Sequence, residues 1–172
     1  MGILSGNPKE EPMHYGEIIE VWSYSTKVKG MLSAYQALKC HAGDKDLRNM
    51  LDQLIDQSQK AITECDKLLT DNGITPAPAY PERPEEKLED IPAGARFTDP
   101  EIALRISADV SAGLIACSTI IGSSIREDIG ALFTKYHGIL LTLAGQILRM
   151  NKDKGWLLPP PLHMEKRELV EA

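Results

Sequence analysis

Apolar positions recur at alternating spacings of three and four along four long stretches of the chain, the period of helices packed side by side. Val21, Tyr24, Val28, Met31, Tyr35 and Leu38 form the first stripe, widened by Ile18, Trp22 and Leu32. They predict a helix over 12–39, with Pro12 harmless in a first turn whose N–H has no intrahelical partner. Ala42-Gly43-Asp44 is a short stop, so the next helix folds back antiparallel. Leu47, Leu51, Leu54, Ser58, Ala61, Cys65 and Leu68, reinforced by Met50, Ile62 and Leu69, predict that helix over 45–71. Asn72-Gly73 ends it as a left-handed cap.

The texture then changes. Pro76, Pro78, Pro81, Pro84 and Pro92 interrupt residues 73–97, with an acidic run at Glu85, Glu86, Glu89 and Asp90. Prolines so spaced forbid a regular helix and favour extended backbone. A long structureless loop in a compact domain needs a reason. A bundle helix of this size is roughly 42 Å long, and an extended segment at about 3 Å per residue can run its whole length. The expected fold is therefore all-α: a ferritin-like four-helix bundle of two antiparallel hairpins joined by a long proline-rich crossover.

Thr98-Asp99-Pro100-Glu101 reads as a capping box opening a third helix over 99–121, with Phe97 and Ile102 placed for a hydrophobic staple. That helix is rich in small residues, among them Ala108, Ala112, Gly113 and Ala116. Gly122-Ser123 breaks it, and Ser124-Ile125-Arg126-Glu127 reads as a second capping box opening a fourth helix over 125–152. Its seam is Ile125, Ile129, Leu132, Tyr136, Leu140, Leu143, Ile147 and Met150. Another face carries Gly130, Gly138 and Gly145, which predicts close approach of a second backbone, from the third helix or a partner subunit. Gly155 stops the helix, and a tail over 156–172 begins with Trp156 and Pro159-Pro160-Pro161, expected to lie extended across a bundle end. One domain over 1–172 is expected.

Composition narrows the function classes. A formal charge of −6 without a Lys/Arg-rich block offers no footprint for nucleic acid or an anionic membrane. The three cysteines, Cys40, Cys65 and Cys117, form no CxxC pair and suggest neither zinc binding nor a disulfide framework. The N-terminal residues are too polar for a signal peptide core, so a cytoplasmic setting is expected. Val110 to Ile125 carries no charge, but Ser, Thr and Gly interrupt it. It is also shorter than the roughly 20 apolar residues that span a bilayer. The expectation is a helix buried on most sides.

No catalytic group and no cofactor site assembles from the sequence. A di-iron bundle needs a Glu-x-x-His on each of two helices, and Glu11-Pro12-Met13-His14 is the only one. Cys40-His41 are helix neighbours that do not face each other. A softer cluster remains. His14 and Glu17 continue the first seam backwards and point inward at one bundle end, where the crossover topology brings Arg126 and Asp128, with Glu64 about two turns away. The structural reading is a hydrogen-bonded clamp of His14, Glu17, Arg126 and Asp128. The sharper reading is a mononuclear metal site using His14, Glu17, Glu64 and Asp128.

Several segments carry a resemblance. Gly2-Ile3-Leu4-Ser5-Gly6-Asn7-Pro8, Glu11-Pro12-Met13-His14-Tyr15-Gly16-Glu17, Ser124-Ile125-Arg126-Glu127-Asp128 and Gly155-Trp156-Leu157 with Pro159-Pro160-Pro161 are similar to a family of spore-forming bacilli. Its members are described as proteins of unknown function or candidate spore coat proteins, similar to the spore coat protein F group. The resemblance covers essentially the whole chain. It implies a ferritin-like bundle and a place in the mother cell or spore coat, with no established catalytic residues. The leading expectation is a non-enzymatic structural protein that associates with itself or other coat-type proteins through helix faces, without nucleic acid or membrane. The rivals are a metal-dependent oxidase or peroxide-handling protein, and a carrier of an apolar ligand, which would need an elongated internal cavity.

Overall fold

The computed structural model describes residues 11–163. Among these the elements are helical: α1 (Tyr15–His41), α2 (Lys45–Asp71), α3 (Asp99–Ser123) and α4 (Glu127–Asp153), with single 3-10 turns at Leu88–Asp90 and Ala93–Ala95. The Gly2–Pro8 motif and the tail beyond His163 lie outside the described residues.

Two turns and two contacts fix the order of the bundle. At one end, Asp99 accepts the backbone N–H groups of Gly43 and Asp44 at 2.8 and 3.1 Å. At the other, the Arg126 guanidinium donates to Asn72 Oδ1 at 2.7 Å. So α1 and α4 run one way, and α2 and α3 the other. Each hairpin, α1–α2 and α3–α4, is closely packed, while α1 meets α3 and α2 meets α4 over looser seams.

The segment between the hairpins follows α1 from end to end. Trp22 Nε1 donates to Thr75 O at 3.2 Å, and Lys29 Nζ to Ala77 O at 2.5 Å. Further along, Arg83 meets Ser33 and Gln36, Glu85 meets Lys39, and the Phe97 N–H donates to His41 Nδ1. Lys29 is buried, and Asp66 of α2 answers its charge at 2.7 Å. Proline-rich backbone has few N–H donors of its own, so α1 side chains supply its polar contacts.

Two helix starts differ from the sequence reading. The first helix begins at Tyr15 rather than Pro12, because the His14 imidazole accepts the N–H groups of Gly16 and Glu17 and makes His14 the N-cap. Ser124 does not open α4. Its hydroxyl donates to Ile120 O and closes α3, leaving Arg126 as the α4 N-cap without a side-chain cap from its own segment. The Thr98–Glu101 capping box is present, with Thr98 N–H to Glu101 Oε2 at 2.7 Å. Phe97 is half-exposed and packs edge-on against the His41 ring.

The buried stripes follow the seams, with local shifts. Leu69 rather than Leu68 is buried on α2, and Ile125 is exposed. Phe133, outside the expected α4 seam, is fully buried and stands 4.9 Å from Tyr24, ring edge to ring face. Trp156 packs on the core, while Leu158 and Leu162 stay exposed rather than covering a bundle end.

Candidate functional site

The end cluster is built around one carboxylate. Glu17 is fully buried in the first turn of α1. Its Oε2 accepts the His14 N–H at 3.1 Å, completing a capping box. Its Oε1 accepts the N–H groups of Ile125 and Arg126 at 2.9 and 3.0 Å. Glu17 therefore caps its own helix and, from across the bundle, the helix whose local cap is missing. Anionic charge is favoured at both N-termini.

Arg126 turns its guanidinium the other way. It makes a two-pronged pair with Asp128 at 3.0 and 2.7 Å, and donates to Glu11 O and Asn72 Oδ1. Asp128 heads the influences that raise the Arg126 pKa. His14, Glu17, Arg126 and Asp128 thus come together. The link from Glu17 to Arg126 runs through the backbone N–H, and Asp128 touches the guanidinium rather than Glu17. Glu64 stays apart. It accepts from Lys135 at 2.7 Å and Tyr136 at 2.5 Å, which lower its pKa, and takes no part in the end cluster. Among the described residues, no three His, Cys, Asp or Glu side chains converge as metal ligands.

The opposite end repeats the device. Asp99, in the first turn of α3, accepts the two N–H groups of the α1–α2 turn, and Lys154 pairs with Asp44 and Asp46 at 2.7 Å. Each hairpin opens with a capping box and lends a first-turn carboxylate to the other hairpin's turn.

For the glycine face, one of the two expected neighbours is ruled out. A Cβ added at Gly130, Gly138 or Gly145 would meet nothing within 4 Å, so α3 is not the backbone they approach. The close contact is at Gly113 of α3, where a Cβ would stand 3.0 Å from Leu140 Cδ1. Gly16 is crowded as well, with His14 Cε1 2.7 Å from an added Cβ. The uncharged helix is a correction. Only 22% of the most apolar window in residues 93–123 is buried. By length and composition this one segment could cross a membrane. In the bundle it contacts α4 and α1 and leaves Leu104 (61% exposed) and Ile115 (69% exposed) on its outer side. Lack of charge reported an uncharged face, where Ala112 and Ile115 alternate with Ser111, Ser118 and Thr119, and not a buried one.

The interior is divided. One apolar cluster centres on Leu51, Leu54, Ile106 and Ile147, the other on Val21, Leu69, Ile129 and Phe133. Between them lies a cavity of about 140 Å³. Small residues frame it, including Ser58 and Ala61 of α2 and Ala112, Gly113 and Ala116 of α3. Cys65 and Cys117 are buried close by, and burial pushes the Cys65 thiol up to about 12, so neither is placed to act as a nucleophile.

Fold and site define a class: a four-helix bundle with carboxylate-clamped ends, an uncharged outer face and a cavity at its waist. The chain belongs to the protein family of unknown function DUF3231, whose model matches residues 1–169. It is 47% identical over 166 residues to the uncharacterized protein YvdQ of Bacillus subtilis strain 168, covering 96% of this chain and 98% of that one. It is also similar to the crystal structure of a "putative spore coat protein" from Bacillus halodurans C-125, at 46% identity and a TM-score of 0.90, covering 92% of this chain and all of the other.

Proposed function

We propose that the protein is a non-enzymatic structural component of the spore coat that assembles with copies of itself through the outer face of α3. The up-down-down-up order of the helices fits the ferritin-like arrangement. The likeness to the Bacillus halodurans protein supports a place in the mother cell, where the coat is laid down, or in the coat itself.

One observation carries the reading. The apolar window of α3 is mostly unburied, with Leu104 and Ile115 presented outward. Two copies each carrying a charge of −6 repel over most of their surface. The stretch Val110 to Ile125 has no charged side chain, so two copies can meet there without facing like charges. A shared patch of this kind suits a two-fold contact.

Light scattering over a range of protein concentrations tests the idea. Wild type should form dimers or larger species at micromolar concentrations, and Ile115→Lys should be monomeric with an unchanged circular dichroism spectrum. A wild-type monomer throughout the range, or an assembly that Ile115→Lys and Leu104→Lys both leave intact, overturns it. Partition of the wild type into neutral lipid vesicles in place of self-association would overturn it as well.

A further inference from the structure

We propose that the waist cavity is a binding site for a compact apolar group, a single ring or a short hydrocarbon chain. Its volume of about 140 Å³ is close to that of engineered cavities of roughly 150 Å³ that stay dry and accept benzene. Neighbouring atoms cannot simply close it. The helices are fixed at both ends by the Glu17 and Asp99 contacts, and where Ser58, Ala61, Ala112, Gly113 and Ala116 face the void their side chains are too short to fill it.

Several polar groups in the walls are already committed. The Tyr136 hydroxyl donates to Glu64, Asp109 is paired with Arg105, and the Tyr24 hydroxyl faces the Cys117 thiol at 4.0 Å. A buried water needs two to four polar partners, and this interior offers few. An apolar occupant needs none, and it restores the contacts that the void forfeits.

The cavity reaches the looser seams between the hairpins, with Lys27 at the α1 side and Gln57 at the α2 side. Those seams provide a route in that leaves the tight hairpins undisturbed. Among the described residues Lys27 makes no ion pair. A neutral ring would use the interior alone, whereas a short acyl chain could also set its carboxylate beside Lys27.

Thermal melts of the full chain with toluene and, separately, octanoate test the site. Ligand that binds only the folded state raises the melting temperature with its concentration. Wild type should show a saturable rise of a few degrees with at least one probe. Ala116→Leu and Ala61→Leu, which fill the void, should remove it. A rise with octanoate that Lys27→Gln weakens, beside a toluene response it leaves alone, marks the anionic chain as the better occupant. An equal response of Lys27→Gln to both probes marks the neutral group. No rise with either probe, or an equal rise in a filled variant with a wild-type circular dichroism spectrum, overturns the proposal. If neither filled variant folds, methyl NMR of the wild type decides. Toluene should shift Val110 and Leu140, and shifts confined to Leu104 and Ile115 on the outer face overturn the site.

Discussion

Glu17 and Arg126 stand 109 positions apart, yet the carboxylate of the first accepts the backbone N–H of the second at 3.0 Å. The contact converts a helix start without its own cap into one capped by a distant element. Glu17→Gln replaces one acceptor oxygen with an amide donor, which then faces a backbone donor. We expect a loss of about 1–3 kcal/mol in urea unfolding, the penalty of leaving buried groups poorly paired. Added zinc or manganese should leave both melts unchanged, whereas a metal-dependent gain confined to wild type would revive the mononuclear site.

Gly16 tests the His14 cap. Gly→Ala inside a helix ordinarily gains about 0.5–1 kcal/mol, but here the new Cβ would press on the His14 imidazole at 2.7 Å. Gly16→Ala alone should therefore destabilise or have no effect. In a His14→Ala background the same change should stabilise. Additive effects in the double-mutant cycle would mean that the ring does not rest on Gly16.

Gly138 makes the contrasting case. It lies inside α4 with open space where its Cβ would be. Gly138→Ala should raise stability by about 0.5–1 kcal/mol and leave oligomer size unchanged. A fall in stability together with loss of assembly would place a partner backbone on this face.

Acid should loosen the waist. The Glu64 carboxyl is held below its ordinary value, first by Lys135 and then by Tyr136. A depressed folded value means that the stabilisation is present above the unfolded carboxylate pKa of about 4.3 and is lost as pH falls through the folded value. Glu64 is partly exposed, so the effect is modest. Between pH 6 and pH 3 the melting temperature of Glu64→Gln should fall less than that of wild type. Parallel curves for the two proteins would remove Glu64 from the acid response.

The seams, the hairpin turns and the start of α3 were legible because each depends on residues within a few positions of one another. What escaped depends on distant partners. Ser124 and Glu127 have the spacing of a capping box, but nothing local reveals that Glu17 already occupies the N–H groups of Ile125 and Arg126, just before α4. His14 fits the extended apolar seam equally well as an inward residue and as a cap. Glycines on α4 and small residues on α3 carry the same sequence signal, yet one set faces solvent and the other frames a cavity. Phe133 lies one position off the expected seam, where its ring fills the space beside Tyr24 and Tyr136.

The reciprocal carboxylates make the two hairpins each other's template. Joining them needs no peptide bond, because the Glu17 and Asp99 contacts and the facing seams are non-covalent. A chain severed within the exposed stretch near Glu82 should remain a single particle, and the two halves, made separately and mixed, should reconstitute it. The proline-rich strap then acts as a tether that raises the local concentration of one half around the other.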